Sequence, residues 1–95
     1  MTDFDAQIAA LRERFVTRMA AERVVIAAEL DRGGWIAVRD ICHGLSGLAG
    51  VFGYAPIGDA ARAVEDAVDD GAGPEIVREL AAVLLARMKD ADQGR

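Results

Sequence analysis

Residues 39–52 read RDICHGLSGLAGVF, and this stretch decides the fold of the chain. If the segment is helical together with the residue before it, apolar residues fall at the i, i+3, i+4, i+7 spacing of one buried stripe: Val38, Ile41, Cys42, Leu45, Leu48, Ala49 and Phe52. His43, the only histidine, is not on that stripe. At about 100° per residue it projects roughly 160° from the centre of the stripe. The pattern predicts a helix that buries one face and whose imidazole, on the opposite side, faces water or a partner.

Length and composition favour one helical domain over residues 1–95. Apolar residues make up 53% of the chain and aromatic residues only 5%. Alanine, leucine and valine dominate, which favours helices packed on helices over a strand-rich sandwich. A chain of this length builds one core and has no room for a separate substrate domain.

Four amphipathic segments are separated by short Gly- or Pro-containing turns. The first runs from a Thr2 cap to Gly33-Gly34, the second from about Trp35 to Phe52, the third from near Pro56 to Asp69, and the fourth from Pro74 past Met88. Short connections make neighbours antiparallel, so we predict an all-α, antiparallel, up-and-down four-helix bundle. Because the apolar register slips between Met19 and Ile26, a short extra N-terminal helix before a longer one is an open alternative.

Charge and hydropathy exclude several classes of partner. The formal net charge is −5 and the pI about 4.7, so the overall field repels nucleic acids and anionic lipid surfaces. The most apolar window, residues 41–57, is shorter than the ~20 residues of a membrane span. Thr2, Asp3 and Asp5 precede any hydrophobic stretch, which does not fit a secretion signal. The lone Cys42 is expected to act as a small buried hydrophobe, and we expect a cytoplasmic protein.

Three glycines lie inside the predicted second helix, where each costs about 1 kcal/mol relative to alanine. Gly47 follows His43 by one turn on the same side, and Gly50 lies one turn further. The surface beside the imidazole is therefore free of side chains, so that another molecule's backbone can approach. Tight packing between helices is the alternative explanation, and it applies most to Gly44 on the flank of the stripe.

Most chemistry that uses histidine needs partners that the sequence does not supply. Only Asp40 and Glu65 are candidates to join His43 around a metal, so we predict no metal site. Ser46 lies about 60° around the helix from His43, and no third residue is spaced to orient them, so no hydrolase site is predicted. An exposed imidazole can by itself accept and donate a phosphoryl group, because its ring nitrogen is nucleophilic near neutral pH.

Residues 43–53 (HGLSGLAGVFG) resemble the histidine motif of histidine-containing phosphotransfer (HPt) domains. That motif is H-x-x-K-G followed by small residues, an apolar position and a glycine, on the second major helix of a bundle. Residues 64–67 (VEDA) are similar to a glutamate-containing stretch of the family's next helix, and the resemblance extends over residues 4–88. It implies that His43 carries a phosphoryl group to and from receiver-domain aspartates in a two-component phosphorelay, without turnover chemistry of its own.

The resemblance also implies partners and a docking face. Response-regulator receiver domains are the expected partners, with a hybrid sensor kinase as a further one, and the receiver would bring the Mg²⁺, so this chain needs no cofactor. Gly47 would permit close docking of the receiver. The other candidates share the outward side of the predicted helix: Ile36, Asp40, Gly50 and Tyr54.

One residue departs from the family pattern, because Ser46 stands where the motif has lysine. Serine can donate a hydrogen bond to a phosphoryl oxygen but brings no positive charge. Arg39, one turn before His43, is a candidate to supply that charge, and an ordinary pairing with an acidic neighbour is its alternative.

Two other functions stay open at this point. The first is an HPt-like bundle that only binds a receiver or kinase as an adaptor or regulator, with His43 unphosphorylated; Ser46 keeps this hypothesis open. The second is an unrelated helical interaction module in which Ile36, Val51 and Tyr54 meet another helix and His43 has no role.

Overall fold

Four α-helices account for nearly all of residues 2–94, which are the residues that this computed structural model describes. They are α1 (Asp3–Asp31), α2 (Trp35–Val51), α3 (Ala55–Asp69) and α4 (Pro74–Asp92). Each helix packs on its neighbours in the chain, and α4 closes the ring against α1. The predicted all-α, antiparallel four-helix bundle is confirmed. No helix in residues 2–94 combines the length and apolar character that crossing a membrane requires.

The first helix is continuous, so the alternative of a separate short N-terminal helix is wrong. A capping box starts α1: the Thr2 hydroxyl accepts a hydrogen bond from the Asp5 backbone N–H at 3.1 Å, and the Asp5 carboxylate accepts from the Thr2 N–H at 3.2 Å. No glycine or proline interrupts the chain before Gly33. The apparent slip of register is harmless, because Met19 and Ile26 are both fully buried on one face of an unbroken helix.

The first turns of α1 extend beyond the rest of the bundle. The helix has 29 residues against 17 in α2, so at about 1.5 Å per residue it is roughly 18 Å longer. Phe4 and Leu11 are consequently exposed although both are apolar, and burial on this helix starts at Phe15.

The core contains the face of α2 that the periodicity predicted, with one exception. Val38, Cys42, Leu45 and Ala49 are buried. Leu48 was predicted to be buried but is partly exposed, because it lies in a shallow groove between α1 and α2 that no other helix covers. Ile41 and Phe52 pack against the core without being fully enclosed.

Gly53 ends α2 and redirects the chain into α3. Its φ of 87° lies in the left-handed region that glycine adopts without strain. The backbone N–H of Tyr54 then donates a hydrogen bond to the carbonyl of Ala49 at 2.8 Å. This turn brings α3 back along α2, on the same side of the bundle as His43.

Candidate functional site

His43 lies near the middle of α2 and points away from the core. Its side chain is 67% exposed, while the neighbouring Cys42 is fully buried. The predicted outward orientation of the imidazole is therefore confirmed. It follows directly from the helical period, because the buried residues of α2 occupy the opposite face.

Glu65 of α3 holds one nitrogen of this imidazole. Its Oε2 lies 2.6 Å from His43 Nδ1, and the glutamate itself is only 9% exposed. A carboxylate accepts hydrogen bonds and does not donate them when ionised, so Nδ1 carries the proton that it donates to Glu65. In the neutral ring the lone pair is then on Nε2, the nitrogen on the outer side of the ring. The pairing assigns the tautomer and fixes the orientation of the ring.

Arg39 sits one turn before His43 and is bound to carboxylates. Its Nε and Nη2 donate to the two oxygens of Asp69 at 3.0 and 3.4 Å, and its Nη1 donates to Asp40 at 3.3 Å. Its Nη2 also lies 3.4 Å from Glu65 Oε2. The hydrogen bonds to Asp69 and Asp40 raise the pKa of the guanidinium above its usual value. The geometry thus matches the acidic pairing that the sequence left open for Arg39.

Ser46 does not turn its hydroxyl toward the imidazole. The hydroxyl donates a hydrogen bond to the carbonyl oxygen of His43, three residues earlier, at 2.9 Å. This is the local bonding to the preceding turn that serine commonly makes inside a helix. In this rotamer Ser46 satisfies the backbone of α2.

The bare surface beside His43 is open. A Cβ atom added at Gly47 or Gly50 would meet no other atom within 4 Å, and both glycines are exposed. Gly44 differs, since a Cβ there would lie 3.6 Å from Nη2 of Arg18 on α1. The two outward glycines therefore leave the main chain accessible, whereas Gly44 faces the neighbouring helix.

A fourth glycine, Gly58 of α3, sets how closely α3 approaches α2. A Cβ at Gly58 would lie 3.4 Å from the carbonyl oxygen of Ser46 and 3.7 Å from the backbone nitrogen of Gly50. Gly58 was not among the residues that the sequence predicted for the site. The sequence feature that could have indicated it is its spacing: Gly58 lies seven residues before Glu65, and therefore on the same face of the third helix.

The outward face of α2 contains most of the predicted docking residues. Ile36 is 76% exposed and Val51 is 73% exposed, one on either side of His43 along the helix, and Asp40 is exposed between Ile36 and His43. Isolated exposed side chains of this size are ordinary, but here they flank the open glycine surface.

The predicted position of Tyr54 is wrong. Because α2 ends at Val51 and the chain turns at Gly53, Tyr54 does not continue the outward face of that helix. Its ring is half-buried against Phe15, with the ring centroids 5.9 Å apart. Tyr54 therefore lies against α1, away from the α3 side on which Glu65 meets His43.

Cys42 is free and buried directly behind His43. Burial raises the pKa of its thiol to about 12, with the charges of Glu65 and Glu22 adding to the effect. A thiol that remains protonated is a poor nucleophile, so Cys42 acts as a core residue, as the sequence predicted.

The charges around the imidazole are mainly negative. Asp40, Glu65 and Asp69 surround Arg39 next to His43. Among residues 2–94, no three histidine, cysteine, aspartate or glutamate side chains converge as a metal site. The sequence pointed to Glu65 as a weak metal-ligand candidate and as part of the stretch that resembles the family; its contact with Nδ1 requires the two helices to be placed side by side.

Fold and site together define a helical-bundle module that presents a single histidine, supported from below by a carboxylate, on its second helix. Comparison with known families agrees with this description, since the Hpt domain matches residues 10–94. The chain belongs to the Hpt domain family, whose members are phosphocarrier modules of two-component signalling. Comparisons with curated proteins and with solved structures found no match.

Proposed function

We propose that this protein is a phosphorelay intermediate that carries a phosphoryl group on Nε2 of His43. The donor is the aspartyl phosphate of a receiver domain, and the acceptor is the aspartate of the same or another receiver. The observation that supports this best is the 2.6 Å contact between Glu65 Oε2 and His43 Nδ1, because it leaves the Nε2 lone pair on the exposed side of the ring.

The transfer is a displacement at phosphorus. The Nε2 lone pair attacks the phosphorus atom, the N–P bond forms, and the P–O bond to the aspartate breaks, so that the aspartate leaves as a carboxylate. The ring becomes cationic as the bond forms. Glu65 stabilises this cation through the Nδ1–H hydrogen bond, as a carboxylate does behind other catalytic histidines. In the reverse direction a receiver carboxylate attacks the phosphorus and Nε2 leaves.

The partner supplies what this chain lacks. We expect the receiver to bring Mg²⁺ and the acidic pocket that holds it, so the protein requires no cofactor of its own. The receiver would settle over Gly47 and Gly50, where no side chain keeps it from His43. Ile36 and Val51 then provide apolar contacts on either side of the imidazole, and Asp40 contributes to the rim. A hybrid sensor kinase that contains a receiver is a second candidate partner.

An adaptor function is the alternative, and one observation favours it. On α2, Ser46 bonds to the backbone of its own helix and Arg39 is bound to carboxylates, so neither offers a free positive charge to a phosphoryl group. In that case the bundle binds a receiver or kinase through the same face while His43 stays unphosphorylated.

The two functions are separated by incubating the protein with a panel of phosphorylated receiver domains and Mg²⁺. Acid-labile, base-stable label that disappears in the His43→Gln variant supports the phosphocarrier. Complex formation without label supports the adaptor. Treatment with phosphoramidate, a small phosphoryl donor, tests the reactivity of His43 without any protein partner. We expect the wild-type protein to be phosphorylated and the His43→Gln variant to remain unphosphorylated.

A further inference from the structure

One stripe of α3 faces α2, and three of its four members contact that helix. The stripe consists of Gly58, Arg62, Glu65 and Asp69, at i, i+4, i+7 and i+11. Gly58 packs on the backbone of Ser46 and Gly50, Glu65 bonds to His43, and Asp69 bonds to Arg39. Arg62 is the member whose role is unassigned.

The contacts on either side locate Arg62 along α2. It lies between Gly58, which is opposite Ser46 and Gly50, and Glu65, which is opposite His43. Since α2 and α3 are antiparallel, Arg62 lies level with the turn of α2 that follows His43. On the flank of that turn that faces α3, the α2 side chain is the small Ser46, whose hydroxyl is bonded to the carbonyl oxygen of His43, and Gly47 beside it has no side chain. Only this small side chain therefore lies near the path from the arginine to the imidazole.

Arg62 is also free to bind an anion. Its side chain is exposed, and within residues 2–94 it makes no hydrogen bond or ion pair. Asp59 and Asp66, one turn away on either side along α3, do not pair with it. By contrast, Arg39 is held by Asp40, Glu65 and Asp69.

We propose that Arg62 binds the phosphoryl group on Nε2 of His43 and supplies the positive charge that Ser46 lacks. This inference rests on the proposed function. Arg62 lies one turn from Glu65, and residues one turn apart on a helix have Cβ atoms about 5–6 Å apart. Because Glu65 holds the imidazole at Nδ1, the long arginine side chain can reach a phosphoryl group on Nε2 of the same ring. The planar guanidinium can donate two parallel hydrogen bonds to phosphoryl oxygens.

The test is a ³¹P NMR titration of the protein phosphorylated with phosphoramidate. A nearby cation favours the dianionic form of the phosphoryl group, so its loss raises the pH midpoint of the ³¹P shift. We expect Arg62→Gln to raise the midpoint by roughly half a pH unit. Arg62→Lys should keep the midpoint close to the wild-type value, because lysine keeps the positive charge. Arg12→Gln is the matched control; it removes the same charge from an exposed arginine of α1 and should leave the midpoint unchanged.

A second variant checks the same inference from the other helix. When Ser46→Lys is added to Arg62→Gln, it should lower the raised pH midpoint. In the wild-type background, where Arg62 is present, Ser46→Lys should change the midpoint less. A wild-type midpoint in Arg62→Gln, with helicity intact by circular dichroism, overturns the inference while the phosphocarrier function stands. Absence of any label on His43 in the wild-type protein contradicts the proposed function itself. The two failures are therefore distinguishable.

Discussion

Glu65 and His43 are 22 residues apart in the sequence and on different helices, yet their side chains meet at 2.6 Å. The same carboxylate oxygen lies 3.4 Å from Arg39 Nη2. Glu65 is therefore held between a cation and the imidazole, in a position that is nearly buried while the ring itself is exposed. This arrangement gives the histidine one supported nitrogen and one free nitrogen, and it provides the sharpest test of the site.

Replacing the carboxylate should slow phosphorylation of His43. Glu65→Gln keeps the size of the side chain and can still accept from Nδ1–H, but it cannot offset the positive charge that develops on the ring. We expect the rate of labelling by phosphoramidate to fall about 10-fold or more. Asp66→Asn is the matched control, because it removes the same charge from the next, exposed residue. Equal rates in the two variants would show that the Glu65 contact does not matter for reactivity.

Two glycines should respond to the same substitution in opposite ways. Gly47→Leu should block transfer from receivers by preventing close approach, while the fold keeps or gains stability, because the added side chain meets no atom and helical glycine costs about 1 kcal/mol. Gly58→Leu should destabilise the bundle by about 1–3 kcal/mol, because its side chain would enter the closely packed α2–α3 contact. Urea unfolding and receiver-dependent labelling measure the two effects. If Gly47→Leu instead lowered the free energy of unfolding, Gly47 would be a packing residue and the surface beside His43 would not be open.

The exposed apolar residues beside the site should matter for partner binding alone. We expect Ile36→Glu to weaken binding of a receiver by about 10-fold, because a charge replaces an apolar contact that flanks His43 on the docking face. Phosphorylation by phosphoramidate should stay at the wild-type rate. Val24→Glu, at another well-exposed apolar position, on α1, is the control for a new surface charge. Isothermal titration with a receiver that phosphorylates the protein gives the comparison, and equal affinities for both variants would place the interface elsewhere.

The buried thiol should make the fold sensitive to alkaline pH. In the unfolded chain Cys42 ionises near its ordinary pKa of 9.0, whereas burial holds the pKa in the folded state at about 12. Between these values the unfolded state releases a proton that the folded state keeps, so stability is complete below pH 9 and falls as the pH rises toward 12. The loss approaches about 1.4 kcal/mol per pH unit at its steepest.

Urea unfolding at a series of pH values measures this loss. Cys42→Ala removes the thiol, so its free energy of unfolding should fall less steeply above pH 9 than that of the wild type. The other groups that titrate there are common to both proteins and cancel in the difference. Parallel curves for the two proteins would mean that the thiol ionises as easily in the folded state as in the unfolded one.

Residues on α2 show which features the sequence could predict and which it could not. The apolar spacing correctly placed Cys42 inside and His43 outside, because both follow from the rotation of one helix. Leu48 has the same spacing but is partly exposed, since burial needs a second helix over that flank and α1 leaves a groove there. Tyr54 was misplaced because the prediction continued the helical rotation through Gly53, where the backbone leaves the helix.

The sequence by itself determined the number and order of the helices, the face of α2 that is buried and the exposure of His43. These properties depend on local periodicity and on glycine and proline signals within a few residues. The tertiary structure alone decided which side chains meet the imidazole. The contact between Glu65 and His43 and the position of Arg62 depend on how far α3 slides and rotates against α2. That placement is set by close packing at Gly58, which joins residues that are distant in the chain.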